Sequence, residues 1–364
     1  MRRLSFKPAA NNPSVTSRPA DQSQRRKTRK TAAMGIVAAI ALTLSACSTG
    51  SSAADPSATS AKAANIAYFA FAVSGNSFAT AQADSVKAEA KADGATLAVF
   101  DAAGNAQKQY SQIQDALASG KYNGFLIDAV DGAGLVSVVK QALTQGIKVV
   151  GVNSALGPDL ASADPQVPGM SGSIVQPAVA RGITGGKLVV EACAAAKKNP
   201  CQVAYVFNYK GTGVDTGTRQ GFDQVIDKEP TIKVVAEGQA MYSAAGGLSA
   251  TQTILQQAPG VNVVFGADQG MQGATQALQS AKNNNVLVVG MGGSQAGLAR
   301  VKSGEWFGDV PVLPSTQGKL GTEAIVNAVR SGKSVGGVNP AADLPDAGLA
   351  TTGNIDQFTG QWAG

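Results

Sequence analysis

Side chains that could carry out chemistry are scarce in this 364-residue chain, because it contains three cysteines and no histidine. Without histidine, neither a Ser-His nor a Cys-His nucleophile can form, and no His-ligated metal site can be built. Carboxylate or lysine chemistry is still possible in principle, but the sequence pairs no such groups convincingly. The sequence therefore predicts a protein that is not an enzyme and that carries no cofactor.

The first cysteine, Cys47, ends an uncharged run from Thr31 to Ala46, and the basic cluster from Arg25 to Lys30 precedes that run. A positive segment, a short apolar run and small residues at the cut site predict a secretory signal over residues 1–47. The run is too short to span a bilayer comfortably. The end of the signal resembles the lipobox of bacterial lipoproteins, which implies lipidation of Cys47 and anchoring to the cell membrane. The alternative is a buried helix that happens to end in cysteine.

Removal of this signal changes the charge of the chain. Residues 1–47 hold nine of the 30 Lys and Arg residues and one of the 24 Asp and Glu residues, which leaves 21 basic against 23 acidic side chains. The remainder has no positive excess that would attract nucleic acid, so no nucleic-acid partner is expected. Residues 48–64 are rich in Ser and Ala and predict a flexible tether. The rest of the protein is expected to be extracytoplasmic.

Cys193 and Cys201 are then an even pair in an oxidising compartment, which favours a disulfide. The bond would join the end of a predicted helix, residues 187–196, to the strand at residues 202–208. Two free buried thiols are the alternative. A zinc site is a weaker hypothesis, because two sulfurs cannot complete a tetrahedral site in a chain without histidine.

From residue 65 the chain alternates short apolar runs with longer amphipathic segments, which predicts βαβ units and mostly parallel sheets. The run from Ile147 to Val152 is nearly continuous in apolar residues, as expected where helices cover both faces of a sheet. About 300 residues follow the signal, enough for two lobes. Ten strands are predicted, at residues 66–73, 96–101, 124–128, 148–153, 172–175, 202–208, 232–238, 261–267, 286–291 and 307–312.

Several short motifs share the order and spacing of one known family. Asn65 to Phe69 opens the first strand, and Gly75-Asn76-Ser77-Phe78 forms the loop after it. Later come the motifs Thr218 to Phe222, Asp268 to Ala274 and Val288 to Gly292. No single motif is specific, but together, over about 270 residues, they resemble the type I periplasmic binding proteins, close to the sugar-binding components of bacterial ABC importers.

The resemblance implies two doubly wound α/β lobes joined by a three-segment hinge, with the ligand in the cleft between them. The N-terminal lobe would comprise residues 65–177 and 312–333, and the C-terminal lobe residues 178–311. We place the crossovers near Pro177, Pro311 and Lys333. The tail, residues 334–364, is expected to wrap a lobe with little regular structure.

The family's function is capture of a solute for transport. The resemblance implies a monomer that traps a small neutral solute, such as a sugar or polyol, by hinge closure and delivers it to an ABC permease. The alternative is a sensor that presents a ligand to a membrane receptor kinase. The sequence does not separate these two functions.

Two pairs of residues are the first candidates for ligand contacts. Asn76 and Phe78 follow the first strand, and they would combine an amide with an apolar face for stacking on a sugar ring. The alternatives are a turn residue and a packing residue. Asn153 and Ser154 end the fourth strand, where sugar binders of the family carry an Asp-Arg pair.

Four further candidates lie in the second lobe. Tyr242 matches a stacking aromatic of the family, whereas Tyr209 and Asp215 could supply replacement contacts. Asp268 either accepts hydrogen bonds from ligand hydroxyls or caps the helix that begins there.

The chain departs from the family at other site positions. Thr218 stands where the family has an arginine, Arg219 is displaced by one residue, and Gly292 replaces an aspartate. The usual set of hydroxyl-binding groups is therefore incomplete, which favours a smaller, deoxy or less polar ligand. Trp306 is interpreted as a core residue rather than a stacking platform.

Overall fold

The computed structural model describes residues 62–364, so the predicted signal, Cys47 and most of the predicted tether lie outside the described residues. The described chain contains twelve strands: β1 (Asn65–Ala70), β2 (Thr96–Asp101), β3 (Gly124–Ile127), β4 (Lys148–Val152), β5 (Gly172–Ile174), β6 (Cys201–Phe207), β7 (Ile232–Gln239), β8 (Val263–Ala267), β9 (Leu287–Gly292), β10 (Gly308–Pro311), β11 (Gly336–Val338) and β12 (Ala350–Thr351).

The described range also contains nine α-helices: α1 (Ser77–Ala92), α2 (Ala106–Ser119), α3 (Val136–Thr144), α4 (Ala178–Ala196), α5 (Gly213–Ile226), α6 (Ala244–Gln257), α7 (Asp268–Ser280), α8 (Gln295–Lys302) and α9 (Pro314–Ser331). Within residues 62–364, none of the helices combines the length and the apolar character needed to cross a membrane.

The strands form two six-stranded sheets, one in each lobe. The first has the order β11-β5-β4-β3-β1-β2 and the second has the order β12-β10-β9-β8-β6-β7. All neighbours are parallel except β10 and β12, which are antiparallel. The predicted fold class, two doubly wound parallel lobes, is confirmed. The ten predicted strands are β1 to β10, with ends that shift by at most three residues.

Apolar side chains fill both faces of each sheet. In the first lobe, Phe69 and Phe125 pack on one face, and Tyr68 and Leu126 pack on the other, all with no measurable exposure. Alternation of side chains along each strand explains this division, because neighbouring residues point to opposite faces. Near-continuous apolar runs are therefore buried on both sides, as expected for a parallel sheet covered by helices.

Helix α4 is longer than the predicted helix at residues 187–196, because it begins at Ala178. Its first half packs against α5 through two glycines. A Cβ at Gly182 would lie 1.9 Å from the carbonyl oxygen of Thr218, and one at Gly221 would lie 1.9 Å from that of Val179. The two helices therefore approach as closely as their backbones allow.

The tail differs from its prediction. After α9 the chain returns to the edge of the first sheet as β11, which pairs with β5, and then crosses to the second sheet as β12. The third crossover therefore lies in residues 339–349, not near Lys333. The other two lie between β5 and α4 and between β10 and α9. The prediction of little regular structure missed these strands because each is only two or three residues long.

Cys193, near the end of α4, and Cys201, the first residue of β6, form a disulfide. Both side chains are buried in the core of the second lobe. The bond closes a short loop, since the two residues are separated by eight positions.

Replacement of both cysteines by alanine (C193A/C201A) is expected to lower the free energy of unfolding by about 2–3 kcal/mol, because the short loop is no longer closed in the unfolded chain. Urea denaturation with and without reductant measures the change. Reductant should lower the free energy of unfolding of the wild-type protein and should not change that of the double variant. Two titratable thiols in the denatured, unreduced wild-type chain, beyond Cys47, would contradict the bond.

Candidate functional site

A cavity of about 60 Å³ lies between the two lobes, at the carboxyl ends of their strands. Parallel sheets bind ligands at this edge, because the loops that follow the strands converge there. The polar residues that line it are Asn76, Asp128, Asn153, Ser154, Arg181 and Gln269. The larger apolar and aromatic residues are Phe71, Phe78, Val214, Tyr242, Met291, Val312 and Trp362. Both lobes, the second crossover and the tail therefore contribute to one cavity.

Five of the eight residues proposed from the sequence as ligand contacts line this cavity: Asn76, Phe78, Asn153, Ser154 and Tyr242. Asn76 also begins helix α1, because its Oδ1 accepts the backbone N–H of Ala79 at 3.2 Å. Its two functions in the prediction, a turn residue and a cleft residue, are compatible. Contact of these five side chains with a ligand stays a prediction.

The other three candidates have different partners and do not line the cavity. Asp215 accepts the backbone N–H of Asn208 at 2.7 Å, and Tyr209 packs against Tyr242 with ring centroids 5.6 Å apart. Asp268 is fully buried and accepts the backbone N–H of Ser294 at 2.8 Å. It does not cap α7 either, since no side chain caps that helix. These residues support the loops and side chains behind the cavity wall.

A connected polar group joins Asp128, Asn153, Ser154 and Arg181. Asn153 Nδ2 donates to the two carboxylate oxygens of Asp128 at 3.3 and 3.4 Å, and Ser154 Oγ donates to one of them at 3.2 Å. Arg181 Nη2 donates to the backbone oxygen and to Oδ1 of Asn153 at 3.1 and 3.0 Å. Asn153 therefore bridges the anion and the cation.

The backbone conformations explain how the first lobe presents this group. Asp128 and Asn153 directly follow β3 and β4, which are parallel neighbours. Gln109 of α2 fixes the loop after β3, because its Nε2 donates to the backbone oxygen of Asp128 and its Oε1 accepts the N–H of Val130, both at 2.8 Å. Asn153 has a φ of 61°, a left-handed conformation that asparagine tolerates better than most residues.

Burial shifts the pKa values of both charged groups. Loss of water raises the pKa of Asp128 to about 7, although hydrogen bonds from Asn153 and Ser154 and the charge of Arg181 oppose the shift. The same loss of water lowers the pKa of Arg181 to about 10, against the favourable charge of Asp128. Arg181 is thus a cation at neutral pH, whereas Asp128 is divided between its two protonation states.

Sequence reasoning missed Asp128, Arg181 and Trp362. Asp128 ends a predicted strand, so the rule that ligand groups follow strands could have identified it. Arg181 is the one charged residue in the first two turns of α4, which is also a detectable signal. Trp362 could not be found in this way, because the tail was predicted to lack regular structure.

Arg219 and Trp306 do not line the cavity. Arg219 pairs with Asp223 at 2.7 Å and with Glu237 at 2.5 Å, so it does not replace the family's arginine in the cavity. Arg181 supplies the guanidinium from a different helix. Trp306 is fully buried and donates to Thr275 Oγ1 at 2.9 Å, in agreement with its interpretation as a core residue. In residues 62–364, no three potential ligating side chains cluster to hold a metal.

Residues 66–334 match the family described as the periplasmic binding protein domain. The ribose import binding protein RbsB of Bacillus subtilis is 25% identical over 261 residues, which cover 71% of this chain and 80% of that protein. The xylitol-binding protein of Mycolicibacterium smegmatis is 27% identical over 285 residues, 77% of this chain and 75% of that protein.

A solved structure of an ABC transporter solute binding protein from Mycobacterium smegmatis, with bound glycerol, has a TM-score of 0.68 and 25% identity. The match covers 83% of this chain and 99% of that one. Such proteins bind solutes outside the cytoplasm and do not transform them, so the prediction that the chain is not an enzyme is confirmed. The two lobes, the cavity between them and the match over most of the chain show that this protein belongs to the type I periplasmic binding proteins, the sugar-binding components of ABC importers.

Proposed function

We propose that this protein is a lipid-anchored substrate-binding protein that captures a small neutral sugar or polyol and delivers it to an ABC permease. The observation that carries the proposal is the composition of the cavity, where a connected polar group lies beside aromatic side chains from both lobes. Sugars and polyols present hydroxyls and C–H surfaces together, so they match both kinds of wall. Curated relatives named for ribose and xylitol support this class of ligand.

The charges in the cavity favour a neutral ligand. Asn153 bonds to both Asp128 and Arg181, and the carboxylate form of Asp128 offsets the charge of Arg181, so the cavity has no strong excess of either sign. The hydrogen bonds described for Arg181 use Nε and Nη2, which leaves Nη1 able to donate to a ligand hydroxyl. The carboxylate of Asp128 can accept hydrogen bonds from ligand hydroxyls. Together these groups offer hydroxyl partners that the sequence did not predict.

Closure of the two lobes is the proposed mechanism of capture. Arg181 belongs to a helix of the second lobe, but it donates to Asn153 of the first lobe. A ligand held between Arg181 and the residues after β3 and β4 would contact both lobes and favour the closed state. A ligand that touched a single lobe would not shift that equilibrium. The closed surface would then be recognised by a permease.

The alternative function is a sensor that presents the bound ligand to a membrane receptor kinase. The same cavity and the same closure would serve either partner. Neighbouring genes separate the two functions, since genes for a permease and an ATPase support transport and a histidine kinase gene supports sensing. We favour transport because relatives named for import, of ribose and of D-apiose, match 71% and 82% of this chain.

The first test is binding of defined sugars and polyols by the purified protein. Calorimetry with ribose, xylitol, glycerol and myo-inositol is expected to give saturable binding of at least one compound at one site per chain. Arg181→Lys should weaken that binding roughly ten- to a hundredfold, because lysine keeps the charge but loses the planar set of donors.

Arg219→Lys is the matched control, since Arg219 pairs with Asp223 and Glu237 outside the cavity. Its affinity should equal that of the wild-type protein. If no compound in this panel, extended to aldoses and nucleosides, binds the wild-type protein, the proposed function is wrong.

The lipid anchor at Cys47 is tested by cell fractionation. The wild-type protein should appear with membranes, whereas Cys47→Ser should be recovered with the extracytoplasmic soluble fraction or remain as an uncleaved precursor. Metabolic labelling with a radioactive fatty acid should mark the wild-type chain and not the variant. Equal labelling of both chains would rule out lipidation at this residue.

The raised pKa of Asp128 predicts a specific pH dependence of stability. The folded protein holds this proton more tightly than the unfolded chain, so the group's contribution favours folding at about pH 4 and is lost as the pH rises to about 7. This contribution changes the free energy of unfolding by about 3 kcal/mol between pH 4 and pH 7, and Asp128→Asn removes it. Urea denaturation between pH 4 and 8 should show a flatter profile for the variant.

The interaction with Arg181 is already part of the pKa of Asp128, and Arg181 itself stays protonated over this range because its pKa is about 10. The slope, not the absolute stability, is therefore the readout. Asp115→Asn, at an exposed position of α2, is the control and should keep the wild-type slope. Parallel profiles for wild-type and Asp128→Asn would contradict the shift.

A further inference from the structure

The last five residues of the chain form a strap, residues 360–364, that contacts both lobes. In the second lobe, the first backbone N–H groups of α8, those of Gln295 and Ala296, donate to the carbonyls of Trp362 and Ala363 at 2.8 and 3.1 Å. In the first lobe, Ser77 Oγ donates to the main-chain oxygen of Gly364 at 2.9 Å. The strap is therefore held at the cleft from two sides.

The strap carries Trp362 into the cavity wall. Trp362 is only 3% exposed, and its Nε1 donates to the carbonyl of Gly292 at 2.8 Å. Its ring meets that of Phe78 edge to face, with centroids 5.6 Å apart. Because the N–H group is already bonded, the indole offers carbon atoms, not a hydrogen-bond donor, to the cavity that it lines.

Glycine at position 292 provides the space for this indole. A Cβ there would lie 2.7 Å from Cζ2 of Trp362 and 2.7 Å from Cγ of the buried Asp268. Any side chain at position 292 would displace one of these groups. Trp362 can therefore occupy this place only because residue 292, at the end of β9, has no side chain.

The cavity consequently has two chemically different parts. Trp362, Phe78, Met291 and Val312 offer apolar surface, whereas the group that joins Asp128 to Arg181 offers hydroxyl partners, as do Asn76 and Gln269. A ligand hydroxyl directed at the apolar part would lose its water without gaining a partner, which is unfavourable. A methyl or methylene group at the same point would be buried favourably.

We infer that Trp362 is a ligand-contacting residue supplied by the C-terminal strap, and that it selects a sugar or polyol with a deoxy position, such as a terminal methyl group, over its fully hydroxylated counterpart. This inference rests on the proposed function, because it assigns the chemistry of the ligand in the same cavity. The strap thereby acts as part of the binding site and not merely as a terminal segment.

Calorimetry with matched pairs that differ by one oxygen tests the inference. D-fucose is compared with D-galactose, L-fucose with L-galactose, and L-rhamnose with L-mannose. For the wild-type protein, the deoxy member of at least one pair is expected to bind at least tenfold more tightly. Trp362→Ala should weaken binding of that deoxy sugar at least tenfold and reduce the preference to near unity, and Trp362→Phe should be intermediate.

Phe358→Ala is the matched control, because Phe358 lies in the same tail but packs against the core of the second lobe and does not line the cavity. It should lower the melting temperature while it keeps the preference between pair members. If Trp362→Ala fails to fold, the comparison of wild-type with Trp362→Phe decides the question, since a smaller ring must change the ratio if it contacts the deoxy group.

The possible failures are distinguishable. Binding of sugars with no preference for the deoxy member, or an unchanged preference in both Trp362 variants, overturns the inference and leaves the proposed function intact. Absence of binding by the wild-type protein to every member of these pairs and of the wider panel overturns the proposed function, and the inference falls with it.

Discussion

One buried cation links the two lobes and defines the polar part of the cavity. Arg181 is 4% exposed, so its guanidinium has lost nearly all of its water, and such a loss is tolerated only where other groups replace the water. The replacements are the carbonyls of Gln176 and Asn153, the Asn153 side chain and the nearby carboxylate of Asp128. Removal of any of them would leave the charge of Arg181 less completely compensated.

Arg181 connects the two lobes close to the first crossover. It lies in the first turns of α4, directly after the first crossover, so its backbone belongs to the second lobe while two of its partners come from Asn153 in the first. Asn153 and Asp128 can meet it because they end adjacent parallel strands, whose carboxyl ends must lie at one edge. The parallel sheet therefore creates the site, and Arg181 couples it to the hinge.

The sequence was sufficient for the sheets and for part of the site. Apolar runs located β1 to β10 because a strand buried on both faces has a strong local signal. The same patterns placed Asn76 and Asn153 at the cleft, since residues that follow parallel strands converge. The hydrogen bond of Asp268 with the backbone of Ser294 was not predicted, because Ser294 lies 26 residues further along the chain. Local patterns do not report such contacts, and β11 and β12 are too short to produce a pattern.

The C-terminal strap supplies hydrogen-bond acceptors to the first backbone N–H groups of α8. Helix α8 begins at Gln295, and the first N–H groups of a helix have no partner within it. Ser294 Oγ accepts from Gly297, and the strap's carbonyls accept from Gln295 and Ala296. These backbone bonds do not depend on side chains, so they fix the strap's path while leaving the residue at position 362 free to vary in type. A tryptophan fits there because Gly292 leaves room for it and offers its carbonyl to the indole. The helix terminus therefore fixes the strap, and the glycine determines which side chain the strap can bring to the cavity.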